Sequence, residues 1–179
     1  MIQRYKRGFT KEEDQSGSIH DGNGNRCLIG PLYMILGDNT KALPAFQWFA
    51  EEFPDDVSGP EHHLCWTLCL RRAGQETESE NKLMQTAFQN LYLIPHLIGQ
   101  DIDELDIWHS SNYVEKEYLD NFPQEYLNLW TVEDIAWVQE YWQRDATKKT
   151  IAAYAELSHR LLTAPDGGDG RMAVLNTKQ

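Results

Sequence analysis

Apolar positions recur along most of this chain at helical spacing. Within TKALPAFQWFAEEF, residues 40–53, the residues Leu43, Phe46, Phe49 and Ala50 fall on one face, the i, i+3, i+4, i+7 pattern of an amphipathic helix. Asn39 or Thr40 caps its start, and Pro54 stops it. Pro60 suits a first helical position and opens a helix that runs to about Ala73, with Gly74 after it. Another helix covers 76–89. LYLIPHLIG is apolar, short and broken by Pro95. Ser110 or Ser111 caps a helix over 112–121. Thr131 caps the next, with Asp134 in its first turn and Ile135, Val138 and Trp142 facing one way. A last helix over 148–163 turns Ile151, Tyr154, Ala155, Leu161 and Leu162 inward. No alternating stretch of useful length predicts a strand. The expected class is all-α, built from helix hairpins with short connections.

Glycine, asparagine and serine dominate SGSIHDGNGN near the start, and PDGGDG follows Pro165. These favour turns. The expected organisation is an irregular arm over 1–25, one helical domain over 26–163 and a flexible tail over 164–179. DGNGN has the look of a calcium loop, but counting from Asp21 its sixth and twelfth positions are Arg26 and Leu32 instead of the Gly and Glu an EF-hand needs.

A unit with internal spacing stands out at CLIGPLYMILGDNTKALPAFQWFAEEFP. Gly30, Tyr33, Gly37, Ala42, Phe46 and Pro54 occupy positions that resemble the small residue, turn glycine, second-helix alanine and aromatic, and closing proline of a tetratricopeptide repeat. A weaker second unit carries Trp66, Leu70, Gly74, Ser79 and Leu83, with its proline late, at Pro95. The resemblance spans about residues 26–95. It implies a right-handed α-solenoid, with additional C-terminal helices, that displays a concave groove to a protein or peptide. The first helices of each unit would line that groove with Met34, Ile35, Leu68, Arg71 and Arg72, the two arginines meeting partner carboxylates. The family's Lys and Asn carboxylate clamp is not matched, so recognition of a peptide C-terminus is not expected.

Composition changes this picture in one respect. The net charge is −12, and it is local: residues 101–140 hold eleven carboxylates against a single Lys116. Such a face repels phosphate backbones, so nucleic-acid binding is not expected, whereas a basic protein partner is compatible with it. A second reading follows, an acidic inhibitor or immunity-type protein that masks a basic partner. The first residues, MIQRYKRGFTKEED, show no apolar run typical of a secretory signal, and nothing approaches a membrane span. Three cysteines without a signal fit a reducing cytoplasm.

Candidate chemistry is thin. In EHHLCWTLCL, His62, Cys65 and Cys69 share a helical face and are the metal candidates, but a structural zinc site needs four ligands, usually in clips from two segments, and neither Cys27 nor His96 supplies one. Cysteine flanked by leucines packs as a small hydrophobe, and that is the expected role. His109, beside Trp108 and three residues after Asp106, is the catalytic candidate of a third, enzymatic reading. Neither GDNTK nor GGDGR has the spacing of a phosphate loop, and the Asp-x-Asp of DIDELD stands alone. No cofactor is expected.

Overall fold

A computed structural model of the chain describes Arg7, Gly8, Asp21 and residues 24–164. The expected arm over 1–25 and tail over 164–179 fall almost wholly outside these residues. Among the described residues there are helices and turns and no strand, as the apolar spacing predicts. After a 3-10 turn at Asn25–Leu28 come α1 (Ile29–Ile35), α2 (Asn39–Glu52), α3 (Pro60–Arg72), α4 (Glu76–Gln89) and α5 (Leu93–Leu97). Short 3-10 turns at Asn112–Val114 and Lys116–Asn121 precede α6 (Gln124–Leu127), α7 (Val132–Gln143) and α8 (Asp145–Thr163). Within the described residues the chain forms two compact units. The first runs to Leu83 and includes Gln124–Leu129; the second comprises Met84–Pro123 and the chain from Trp130 onward.

In the first unit, α1 and α2 form a hairpin closed at Gly37. The Asp38 N–H reaches the Tyr33 carbonyl and the Gly37 N–H the Met34 carbonyl, a Schellman closure that needs the left-handed φ of 72° at Gly37. Asp38, rather than Asn39 or Thr40, caps α2: its carboxylate accepts the Lys41 N–H at 3.2 Å and the Thr40 hydroxyl at 2.8 Å. The face of α2 is rotated from the expected one. Ala42, Ala45, Phe46 and Phe49 are buried, while Leu43 is half-buried and Ala50 exposed. Gly30 explains the rotation. A Cβ there would lie 2.7 Å from Cζ of Phe46, so the glycine lets that ring lie flat on α1. Arg26 ties the ends of this unit together, pairing with Asp56, donating to the Asp21 carbonyl at 2.7 Å and lying over the Phe53 ring. The residue that spoils the calcium-loop pattern is thus a resident cation.

In the second unit, α7 begins with the expected cap. Thr131 Oγ1 accepts the Asp134 N–H at 3.2 Å and Asp134 returns the bond to the Thr131 N–H at 3.1 Å. Trp137 and Val138 are the buried apolar residues of α7; Ile135 and Trp142 are only half-buried. α8 starts three residues earlier than expected, and Leu161 points inward while Leu162 is exposed. Tyr154 stacks on Phe88 and donates to its carbonyl at 2.8 Å. The α-helix expected over 112–121 is replaced by 3-10 turns. Buried Asn90 takes the carbonyls of Tyr113 (2.7 Å) and Glu115 (3.1 Å), which a helix would need for its own i+4 N–H groups. Asn90 Oδ1 also accepts the Tyr92 N–H, and the Tyr92 hydroxyl accepts the Leu105 N–H at 2.9 Å. This pair holds the acidic stretch 101–106 extended.

Candidate functional site on the central helix of the first unit

α3 carries the site. Pro60 at its first position, Glu61 in the first turn and Arg71 and Arg72 in the last turn match its backbone dipole at both ends. The helix closes at Gly74 with the same Schellman pair as α1. It is buried over most of its circumference, at His62, Leu64, Cys65 and Thr67–Leu70.

One side of α3 meets the aromatic face of α2. The His62 ring packs edge-on to Phe46 at 5.1 Å and against Phe49 at 4.5 Å, and Trp66 stacks on Phe46 at 5.4 Å. Lys82 lies 3.8 Å over the Trp66 ring, and desolvation lowers its pKa to about 8. His62 Nδ1–H donates to the Cys27 carbonyl at 2.7 Å, which fixes the tautomer and leaves Nε2 unprotonated. Burial holds this imidazole neutral, with its pKa down at about 4.

The other side of α3, together with α1, receives α6. Tyr126 is only 9% exposed there. Burial first, then the neighbouring charges at Cys65, Glu61 and Glu125, push its phenol up to about 12. Arg72 Nη2 donates to the Leu129 carbonyl at 2.6 Å. Glu61, Cys65, Leu68, Cys69 and Arg72 follow one another at intervals of one helical turn, so they form a single stripe. Residues 126–129 therefore run along this stripe from Cys65 toward Arg72. Leu127 and Leu129 are half-buried; Gln124, Glu125 and Asn128 face solvent.

Of the expected groove residues, Met34 and Leu68 are core, with 1% and 0% exposure, and offer a partner no surface of their own. Ile35 is 40% exposed. Arg71 pairs with Glu76 at 3.7 Å, and Arg72 is engaged by Leu129. Thus the structure brings Leu68 and Arg72 onto one stripe, and that stripe holds a piece of the same chain. Tyr126 and Leu129 carry no local signal of this role; their part depends on a contact over 57 residues of sequence.

The metal candidates do not converge. His62 is committed to Cys27 and the α2 rings. Burial pushes the Cys65 thiol far up and the Cys69 thiol to about 11, away from the thiolate that binds metal. Among the described residues, no three His, Cys, Asp or Glu side chains are grouped to hold an ion. The catalytic candidates are separated too. Asp106 serves His159 of α8, whose Nδ1–H donates to the Asp106 carbonyl at 2.6 Å with the carboxylate at 3.5 Å. His109 Nδ1 is buried with no hydrogen-bond partner among the described residues. A cavity of about 420 Å³ in the second unit is lined by neither; Tyr92, His96, Asp101, Lys116 and Asp120 border it. Lys116 is occupied there by Asp101 at 3.0 Å and the Ile102 carbonyl at 2.6 Å.

The chain matches no family model, no curated protein and no solved structure, so the site is read from its own residues. No helix among the described residues is long and apolar enough to cross a membrane.

Proposed function

We propose that this chain is a tetratricopeptide-like interaction module of the cytoplasm, its helix hairpins arranged as a short right-handed solenoid, and that the face of α1 and α3 binds a segment of a partner protein. One observation carries the reading. That face accommodates a short segment with an aromatic side chain buried beside Cys65 and a backbone carbonyl held by Arg72. Recognition of a helical turn by an apolar stripe with one arginine at its end is a common mode of peptide binding. The exposed Ile35 and Leu36 at the end of α1 offer further apolar contact on the same unit.

A second reading has its own support. The carboxylates of 101–106 stand on a non-helical stretch pinned by Tyr92 and His159, with the Asp101 and Asp106 side chains 91% and 85% exposed. A basic partner would find them presented without an ordering cost. Hydrogen exchange on a complex captured from lysate separates the two. Protection of α1 and α3, with binding lost in Arg72→Glu, supports the groove. Protection confined to 101–120, with release by salt, overturns the groove in favour of the acidic stretch.

A further inference from the structure

We infer that residues 124–129 are a displaceable resident ligand of the α1 and α3 face, and that the partner is a segment of the same chemistry: a carboxylate, an aromatic anchor and a leucine in one helical turn, as in Glu125-Tyr126-Leu127. The inference rests on the groove reading above and names what the groove accepts.

Four features point to it. α6 is a single turn of four residues, too short to hold its shape without the surface it sits on. It is the one described stretch after Leu83 that packs with the first unit, while Pro123 before it and Trp130 after it belong to the second. The contact has the anatomy of a bound peptide, with one buried aromatic, two half-buried leucines and an exposed polar outer face. Arg72 grips a backbone carbonyl, an interaction any sequence can supply, so side-chain selection falls on the Tyr126 pocket beside Glu61 and Cys65. A phenol fits that pocket better than a charged residue, because Glu61 and the desolvated Cys65 disfavour any added negative charge.

A tethered occupant competes at a high effective concentration, on the order of millimolar for short flexible linkers. An external segment therefore binds weakly until the resident one is loosened. The test is fluorescence anisotropy with a labelled synthetic peptide, Asn121 to Thr131 of this chain, titrated into the full-length protein. Tyr126→Ala is expected to bind it at least tenfold more tightly than the unaltered chain, and Tyr126→Ala with Arg72→Ala to lose that gain. The pair Gln124→Gly and Asn128→Gly removes helix propensity and the 3.1 Å bond between these exposed side chains while leaving Tyr126 in place. It is expected to raise affinity several-fold. A folded glycine variant that binds the peptide no better than the unaltered chain overturns the inference. So does a Tyr126→Ala chain that loses its helical circular dichroism, since the segment is then core. If loosened variants bind a captured partner on α1 and α3 but ignore the peptide, the groove stands and only the shared chemistry fails.

Discussion

His62 makes acid stability a direct readout of the packing around α3. Its ring is fully buried among Phe46, Phe49 and Trp66, and the charges that face it are Lys82, which disfavours protonation, and Asp56, which favours it. Desolvation dominates and holds the native pKa at about 4, against 6.5 for the free group. The unfolded chain therefore takes up a proton first as pH falls. Stability from this residue is whole above pH 6.5 and drains as pH drops toward 4. Integrating the linkage gives a loss of about 2 kcal/mol at pH 5 and about 3 kcal/mol at pH 4. His62→Phe keeps an aromatic ring in the stack and does not titrate, but gives up the bond to the Cys27 carbonyl. At pH 7.5 it is expected to be less stable than the unaltered chain by about 1 kcal/mol. Near pH 5 the order reverses. Urea unfolding followed by tryptophan fluorescence at pH 7.5, 6 and 5 measures both proteins. His63 and the carboxylates are common to both, so they cancel in the difference. A difference that stays constant across this range refutes the reasoning.

The remaining predictions concern packing, polar pins and thiols. Gly30→Ala drives a methyl into the Phe46 ring and is expected to cost about 1–3 kcal/mol, read as a lower melting temperature; an unchanged melt would mean that the helices part freely. Asn90→Ala strands the carbonyls of Tyr113 and Glu115 and is expected to cost about 2–3 kcal/mol, with faster hydrogen exchange across 101–121. In iodoacetamide at pH 8, Cys65 and Cys69 are expected to stay unmodified in the native protein and to react after denaturation, which intact-mass measurement counts; native labelling of Cys65 contradicts its burial.

Local rules made much of the first unit legible. Pro60, Gly74 and the apolar spacing set α3, and the boundaries of α4 fall where the pattern put them. Thr131 and Asp134 announced their capping box. Failures came where a distant group took over a local bond. Asn90 diverted the carbonyls that would have built a helix over 112–121, and Phe46 found room against Gly30, which turned α2 by one residue. Asp106 and His109 looked like a pair in sequence, but His159, on a helix fifty-three residues away, claimed the aspartate. Buried status was equally nonlocal. Met34 and Leu68 sit on first helices as expected of groove residues, yet nothing in their neighbours told that they would be covered.

The stretch YLNLW, residues 126–130, shows why the candidate site itself escaped the pattern. Its apolar residues are too closely set for one amphipathic face, and it reads as an ordinary connection between helices. The structure resolves the excess by dividing it: Tyr126 is buried in the first unit and Trp130 in the second. A connector that only had to reach Thr131 would need neither a buried tyrosine nor a carbonyl gripped by Arg72. Both belong to the α1 and α3 face rather than to the start of α7, whose own cap is complete with Thr131 and Asp134. The apolar surplus before a self-sufficient helix cap is therefore the sequence signature of the resident segment. It also defines what an external competitor must reproduce: the tyrosine and its flanking leucines, without the tryptophan.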